Sequence, residues 1–210
     1  MKYKVNEIFY SLQGEGFWTG TPMVFVRFSG CNLRCPFCDT SHAAFTEMSA
    51  DEIAAEVARL DGEANRNNPA WPDSGRVCLT GGEPMLQLDY DLIEALHKKD
   101  YSIHVETNGT RPMLEMIDWV TLSPKEDVLP NAKVVLEEAN EVKLVFDGTL
   151  GEERICTWAD FPATWHFLQP CDTGDTERNK LILRKTVDYI QSHAGEWRLS
   201  LQTHKLLGIR

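Results

Sequence analysis

Three thiols fall within eight residues in Cys31-Asn-Leu-Arg-Cys35-Pro-Phe-Cys38, directly after the apolar run Met23-Val-Phe-Val-Arg-Phe28. The C-x3-C-x2-C spacing is too tight for ordinary disulfides, and the count is odd. A short loop of this kind can curl three thiolates around one inorganic site. The fold must therefore end a strand at residue 28 and enclose the thiol loop beyond it. Three sulfurs complete neither common centre, since structural zinc wants four ligands and an electron-transfer cluster wants four thiolates. Two readings stay open. One is zinc with His42 as the fourth ligand, because Cys38-Asp-Thr-Ser-His42 has a zinc-like spacing. The other, which the spacing favours, is a [4Fe-4S] cluster whose fourth iron is free to chelate a ligand.

The 210 residues suffice for a single domain, 1–210, with a sizeable core. A net charge of -11 argues against broad binding to nucleic acid or an anionic membrane. Met1-Lys-Tyr-Lys opens on polar residues without a signal-peptide core, and no apolar run is long enough to span a bilayer. Six cysteines without a secretion signal imply a reducing, cytoplasmic setting. Cys78, Cys156 and Cys171 read as buried small hydrophobes.

Tyr3 to Tyr10 reads as a strand or hairpin arm. The segment Ser11-Leu-Gln-Gly-Glu-Gly-Phe-Trp-Thr-Gly-Thr-Pro22 is too glycine-rich and polar for a core. It is not a P-loop, because no Lys-Ser/Thr follows its glycines. Gln13 and Glu15 could meet a heterocycle edge, and a plain turn is the alternative. A strand is expected at 22–28. Ser49-Ala-Asp-Glu52 is a capping box opening a helix to about Leu60, with Ile53, Val57 and Leu60 as its apolar stripe. Residues 61–74 read as a loop or insertion. Strands follow at 76–80, 102–106, 119–122, 141–146, 165–168 and 198–202. Helices are expected at 89–99 (Leu92, Ile93 and Leu96 inward), near Met113, and at 177–192 (Leu181, Leu183, Val187 and Ile190 inward). The alternation predicts an α/β fold with a mostly parallel sheet, and too few units for a closed eight-stranded barrel.

Polar turns recur where these strands end: the cysteine loop, Thr80-Gly-Gly-Glu-Pro84, Glu106-Thr-Asn-Gly-Thr110, Ser123-Pro-Lys125 and Gln169-Pro170. In parallel sheets ligands sit at the carboxyl ends of the strands. Each turn alone is unremarkable, but five together point to a single site.

The cysteine run, with Phe37 before its last thiol, and the GGEP element resemble the radical S-adenosylmethionine enzymes. That resemblance implies a partial, open TIM-like β/α barrel, a [4Fe-4S] cluster and S-adenosylmethionine. The Leu12-Gln-Gly-Glu-Gly16 loop, Gly30-Cys-Asn-Leu-Arg-Cys35, Ser123-Pro-Lys125 and the tail Gln202-Thr-His-Lys205 narrow it to the 7-carboxy-7-deazaguanine synthases, along essentially the whole chain. The implied reaction is ring contraction of 6-carboxy-5,6,7,8-tetrahydropterin to 7-carboxy-7-deazaguanine. Ammonia is lost and hydrogen is abstracted at C6, in queuosine biosynthesis for tRNA modification.

Carried over residue by residue, the resemblance makes Cys31, Cys35 and Cys38 the cluster ligands. It sets Phe37, Cys38, Asp39, Gly82, Glu83, Ser123, Pro124, Lys125 and Gln169 at the cofactor, with Glu83 facing the methionine ammonium. Leu12, Gln13, Gly14, Glu15, Arg27, Thr80 and Arg210 fall at substrate positions, and Thr40 at a magnesium ion (Mg2+). Arg27 is a natural fork for a carboxylate, with a surface ion pair as the alternative. The resemblance also implies a homodimer and an electron donor such as flavodoxin or ferredoxin. Two other readings remain: a radical activating enzyme for a glycyl-radical protein, which shares the cysteine loop and GGEP, and a non-catalytic zinc-binding module.

Overall fold

The computed structural model describes residues 1–38, 40, 41, 44–65 and 75–210. Asp39, His42 and residues 66–74 lie outside them, so the expectations placed there are not addressed by the structure.

Among the described residues nine strands form one sheet in the order β3-β1-β2-β4-β5-β6-β7-β8-β9. The hairpin β1 (Tyr3–Leu12) and β2 (Pro22–Phe28) is antiparallel, and the short β3 (Thr46–Met48) pairs antiparallel with β1. From β2 onward every pairing is parallel: β4 (Arg76–Gly81), β5 (Ser102–Thr107), β6 (Trp119–Leu122), β7 (Ala139–Phe146), β8 (Ala163–Pro170) and β9 (Arg198–Leu199). The sheet does not close, since β3 and β9 form its two edges. The expected open, mostly parallel α/β architecture is what the chain adopts.

Period-two alternation sorts the strands into two faces. One face carries Val77, Leu79, Ile103, Val105, Leu122, Val142, Leu144 and Leu168, all buried against helices. Helices α1 (Ala50–Asn65) and α2 (Tyr90–His97) cover the first half through Ile53, Val57, Leu92, Ile93 and Leu96. Helices α3 (Glu152–Ala159) and α4 (Thr176–Ser192) cover the second half through Ile155, Trp158 and Ile182. The opposite face is unusual for a parallel sheet because it is polar and still buried. Thr80, Thr121, Glu141, Lys143 and Gln169 all lie there.

The helix starts obey capping chemistry. Ser49 and Glu52 exchange reciprocal bonds, Glu52 accepting from the Ser49 N–H at 2.7 Å and Ser49 Oγ accepting from the Glu52 N–H at 3.3 Å. Asp89 caps α2 through the Leu92 N–H, and Asp175 caps α4 through the Glu177 and Arg178 N–H groups.

Several sequence expectations fail. Helix α1 runs to Asn65, five residues further than expected, because the side chain of Asp61 is buried and accepts a bond from the Tyr101 hydroxyl at 3.1 Å. No helix forms near Met113. Pro112 supplies no backbone donor, and Met113, Leu114 and Ile117 simply pack onto the first core. Helix α3 and the terminal α5 (Thr203–Leu207) were not expected. Strand β9 is only two residues long, because Ser200 turns inward and the chain enters α5. In α4 the buried stripe is Ile182 and Thr186, with Tyr189 and Ile190 packed beside them, whereas Leu181 and Leu183 are exposed. Cys78 and Cys171 are buried as expected, but Cys156 is exposed. No helix among the described residues is long and apolar enough to cross a membrane.

Candidate active site

The carboxyl ends of β4, β5, β6 and β8 and the loop after β2 surround one cavity of about 290 Å³. Cys31, Cys35, Phe37, Cys38 and Thr40 line one side. Gly82, Ser123, Lys125 and Gln169 are also at the wall, as are Leu12, Gln13, Gly14, Glu15, Arg27, Thr80 and Arg210. The five separated sequence segments therefore converge, as the recurrence of polar turns implied. Two expected residues do not line it. Pro124 is buried beside the wall, and Glu83 is wholly enclosed.

Glu83 instead braces the site. Its carboxylate accepts from the Thr107 hydroxyl at 2.7 Å, the Asn108 N–H at 2.8 Å and the Met85 N–H at 3.1 Å. Burial pushes its pKa up, and those donors work against the push. The GGEP backbone is stitched to the cysteine loop: Gly82 N–H donates to the Phe28 carbonyl at 3.0 Å and Glu83 N–H to the Gly30 carbonyl at 2.9 Å. The approach is so close that a Cβ on Gly82 would stand 1.9 Å from the Gly30 oxygen. Only glycine fits there.

Beside the thiols, Lys125 donates to the carbonyl and the hydroxyl oxygen of Ser123, each at 2.6 Å. Burial pulls the Lys125 pKa down to about 8. Burial also pushes the Cys31 and Cys35 thiols up, while the Lys125 charge pulls both back. Among the described residues no group of three or more Cys, His, Asp or Glu is gathered tightly enough to hold a single metal ion. The three thiols line the same cavity and feel one another's charge.

The floor is set by the loop between β1 and β2, which enters the polar face of the sheet. Gln13, Gly14 and Gly16 are buried there, contrary to the expectation that this segment lies outside any core. Its tip packs aromatic rings under the cavity: Phe17 stacks on Trp119 and Trp165, and Trp18 lies against His104 and Trp119. The carboxyl-terminal segment clamps it. Gly16 N–H donates to Ser200 Oγ at 3.0 Å, Ser200 donates to Gln169 Oε1 at 2.8 Å, and Thr203 donates through both its N–H and hydroxyl to the Gly14 carbonyl at 2.9 Å. His204 packs directly on Gly14.

The sequence reading underrates the floor's charges. Lys143 projects from β7 and is ion-paired with Glu15, with Glu106 of β5 at 3.6 Å. Gln13 and Thr80 donate to Glu106 at 3.1 and 3.0 Å, and Gln202 donates to Glu15 at 2.9 Å. Glu141 accepts from the Thr121 hydroxyl and the Phe17 N–H, both at 2.8 Å. Lys143 had a signal that could have found it: in Glu141-Val-Lys-Leu-Val-Phe146 two charges recur with period two inside an apolar strand. At the rim Arg27 pairs with Glu7 at 2.9 Å, and the Arg210 guanidinium lies 3.4 Å from the same carboxylate. The Arg210 carbonyl accepts from Ser11 at 2.6 Å. The cavity is thus anionic at its floor and rimmed by guanidinium groups.

Residues 25–125 match the family model of the radical SAM superfamily. The chain is 50% identical to the 7-carboxy-7-deazaguanine synthase of Bacteroides thetaiotaomicron over 210 residues, covering 100% of both, and 40% identical to that of Burkholderia multivorans, again covering 100% of both. Its fold superposes on the crystal structure of QueE from Escherichia coli with a TM-score of 0.72 at 28% identity, covering 96% of this chain and 94% of that one. With a full-length relative sharing half its residues and the thiol loop, GGEP brace and polar sheet face meeting in one cavity, the chain belongs to the 7-carboxy-7-deazaguanine synthase family of radical S-adenosylmethionine enzymes.

Proposed function

We propose that this chain converts 6-carboxy-5,6,7,8-tetrahydropterin to 7-carboxy-7-deazaguanine with loss of ammonia, serving queuosine biosynthesis. The observation that carries the reading is a single cavity lined both by three thiols and by the hydrogen-bonding side chains of the sheet's polar face. When bound, a [4Fe-4S] cluster and S-adenosylmethionine supply hydrogen-atom abstraction at C6 of the substrate. Cys31, Cys35 and Cys38 would hold the cluster, and the donor set fits: soft thiolates in a partly buried loop suit iron and sulfide.

The chain's own residues bind and orient. Gly82, packed on the Gly30 backbone, lines the cavity wall together with Lys125, Ser123 and Gln169, where the cofactor would lie. Arg27, already ordered by Glu7, offers a guanidinium fork to the substrate carboxylate. Thr40 lines the cavity near the thiols, and its hydroxyl is a hard donor that a magnesium ion accepts. Gln13, Glu15 and Glu106 face the ring edge. We also assign a flavodoxin- or ferredoxin-type electron donor, a homodimer and a cytoplasmic setting to this reading.

The test is anaerobic reconstitution, with iron, sulfide and zinc counted, followed by addition of S-adenosylmethionine, reductant and 6-carboxytetrahydropterin. The expected result is about four irons per chain and deazaguanine product, with Cys35→Ala abolishing both while the fold persists. One zinc per chain, or full activity in Cys35→Ala, would overturn the reading. Thr40→Ala should weaken the magnesium dependence of turnover, and an unchanged magnesium response removes Thr40 from the site.

A further inference from the structure

Lys143 occupies a position that the proposed chemistry leaves without a role. Its side chain is 6% exposed and stands between Glu15, at 14%, and Glu106, at 23%. The three come from β7, the β1–β2 loop and β5. Two carboxylates share one ammonium, so the trio carries a net charge of minus one. Neutral donors surround it: Gln202 on Glu15, Gln13 and Thr80 on Glu106. Without the ammonium, two partly buried carboxyls facing the same site would repel each other, which favours the protonated form of one of them. A protonated carboxyl becomes an O–H donor. A lysine suits the task, because its compact charge sits on a flexible stem that reaches between two acceptors.

We propose that Lys143 is a positioning residue that holds Glu15 and Glu106 together as carboxylates on the cavity floor, where they form an acceptor pair for the N–H-rich edge of a pterin ring. This rests on the substrate assigned above. Lys143 stands at the cavity wall and acts on the ring through the pair. A protonated partner would place a donor against donors and reject that edge. Burial by itself would raise the Glu15 pKa, but the Lys143 ammonium outweighs it and holds the group down to about 2. The other charged groups around the trio are Glu141 on β7, Lys125 after β6, Arg27 on β2 and His204 on α5, with the Cys78 thiol on β4.

The experiment is anaerobic calorimetry of 6-carboxytetrahydropterin binding to the reconstituted holoenzyme with S-adenosylmethionine, across the range from mildly acidic to mildly alkaline pH. Wild type should bind with a flat profile. Lys143→Met should lose about tenfold or more in affinity at the acid end, recover partly at alkaline pH, and keep S-adenosylmethionine binding. Lys143→Arg should restore the flat profile. Lys143→Met binding with wild-type affinity and a flat profile overturns the proposal. If Lys143→Met fails to bind S-adenosylmethionine, Glu15→Gln decides: it should weaken pterin binding with no acid limb, and unchanged affinity overturns the proposal. A wild-type holoenzyme that binds no pterin at any pH overturns the assigned substrate instead, a result distinct from a pterin-binding wild type whose Lys143 variants behave normally.

Discussion

Replacing Gly82 by alanine tests whether the cavity wall proposed for the cofactor depends on two backbones in contact. The new Cβ would lie 1.9 Å from the Gly30 oxygen, 2.4 Å from its carbonyl carbon and 3.1 Å from the Cys31 nitrogen. Ordinary contact begins near 3.4 Å, so one backbone must retreat by about 1.5 Å. Neither neighbour is a flexible side-chain end. The retreat breaks the bonds from Gly82 N–H to Phe28 and from Glu83 N–H to Gly30, at 3.0 and 2.9 Å. Overpacking of this kind costs about 1–3 kcal/mol, which lowers the melting temperature by about 2–12 °C in a chain of this size. The functional loss should exceed the stability loss, because Cys31 is carried by the displaced segment. A misplacement of about 1 Å at a reacting centre can cost about a hundredfold in rate. The assay is thermal melting, iron content after reconstitution, and turnover, all on the same preparation. Gly62→Ala supplies the opposite control. Gly62 lies inside α1 with nothing within 4 Å of its new Cβ, so the same chemical change should stabilise by about 0.5–1 kcal/mol. Gly82→Ala with unchanged melting, full iron and normal turnover would refute the argument that this contact sets the wall.

Two more perturbations probe the floor. Burial, assisted by the charge of Arg76, lowers the His104 pKa to about 4 from an ordinary 6.5. The unfolded chain therefore binds a proton that the folded chain refuses between those values, and stability falls as pH drops from 6.5 to 4, by roughly 3 kcal/mol. His104→Phe, which keeps the ring between Trp18 and Trp119, should flatten the urea-unfolding profile over that window; a profile parallel to wild type would show that His104 is not the source. Ser200→Ala removes the hydroxyl that joins Gly16 to Gln169. It should cost about 1–3 kcal/mol and raise KM for the pterin more than it lowers kcat; a wild-type KM would show that the clamp does not hold the Gln13–Gly16 loop.

The expected and observed strands agree closely where one face of a strand is apolar and the segment is bounded by Gly or Pro. The capping box of Ser49 with Glu52 is equally legible, because both bonds act within one turn. Errors come where a local pattern has two outcomes. Leu181 and Leu183 look inward-facing by composition, yet Ile182 and Thr186, four apart, are the pair that meets the sheet. Glu83 reads as a ligand group by its charge, but beside the Met85 N–H in its own turn it is held by Thr107 at the end of β5 and the Asn108 N–H just after it. The glycine-rich loop reads as surface by polarity, yet its polar groups are satisfied by Glu141, Ser200 and Thr203, residues more than a hundred positions away.

By itself the sequence determined the thiol loop, the GGEP turn, the alternating strands and the family they signal, since each is carried by neighbouring residues whose spacing acts locally. Only the tertiary structure decided that the polar face of the sheet would be buried, that Lys143 would stand between Glu15 and Glu106, and that Ser200 and the residues after it would clamp the first loop. Those contacts join strands and loops far apart in the chain. Their partners are chosen by the order and curvature of a nine-stranded sheet, which no local window of sequence contains.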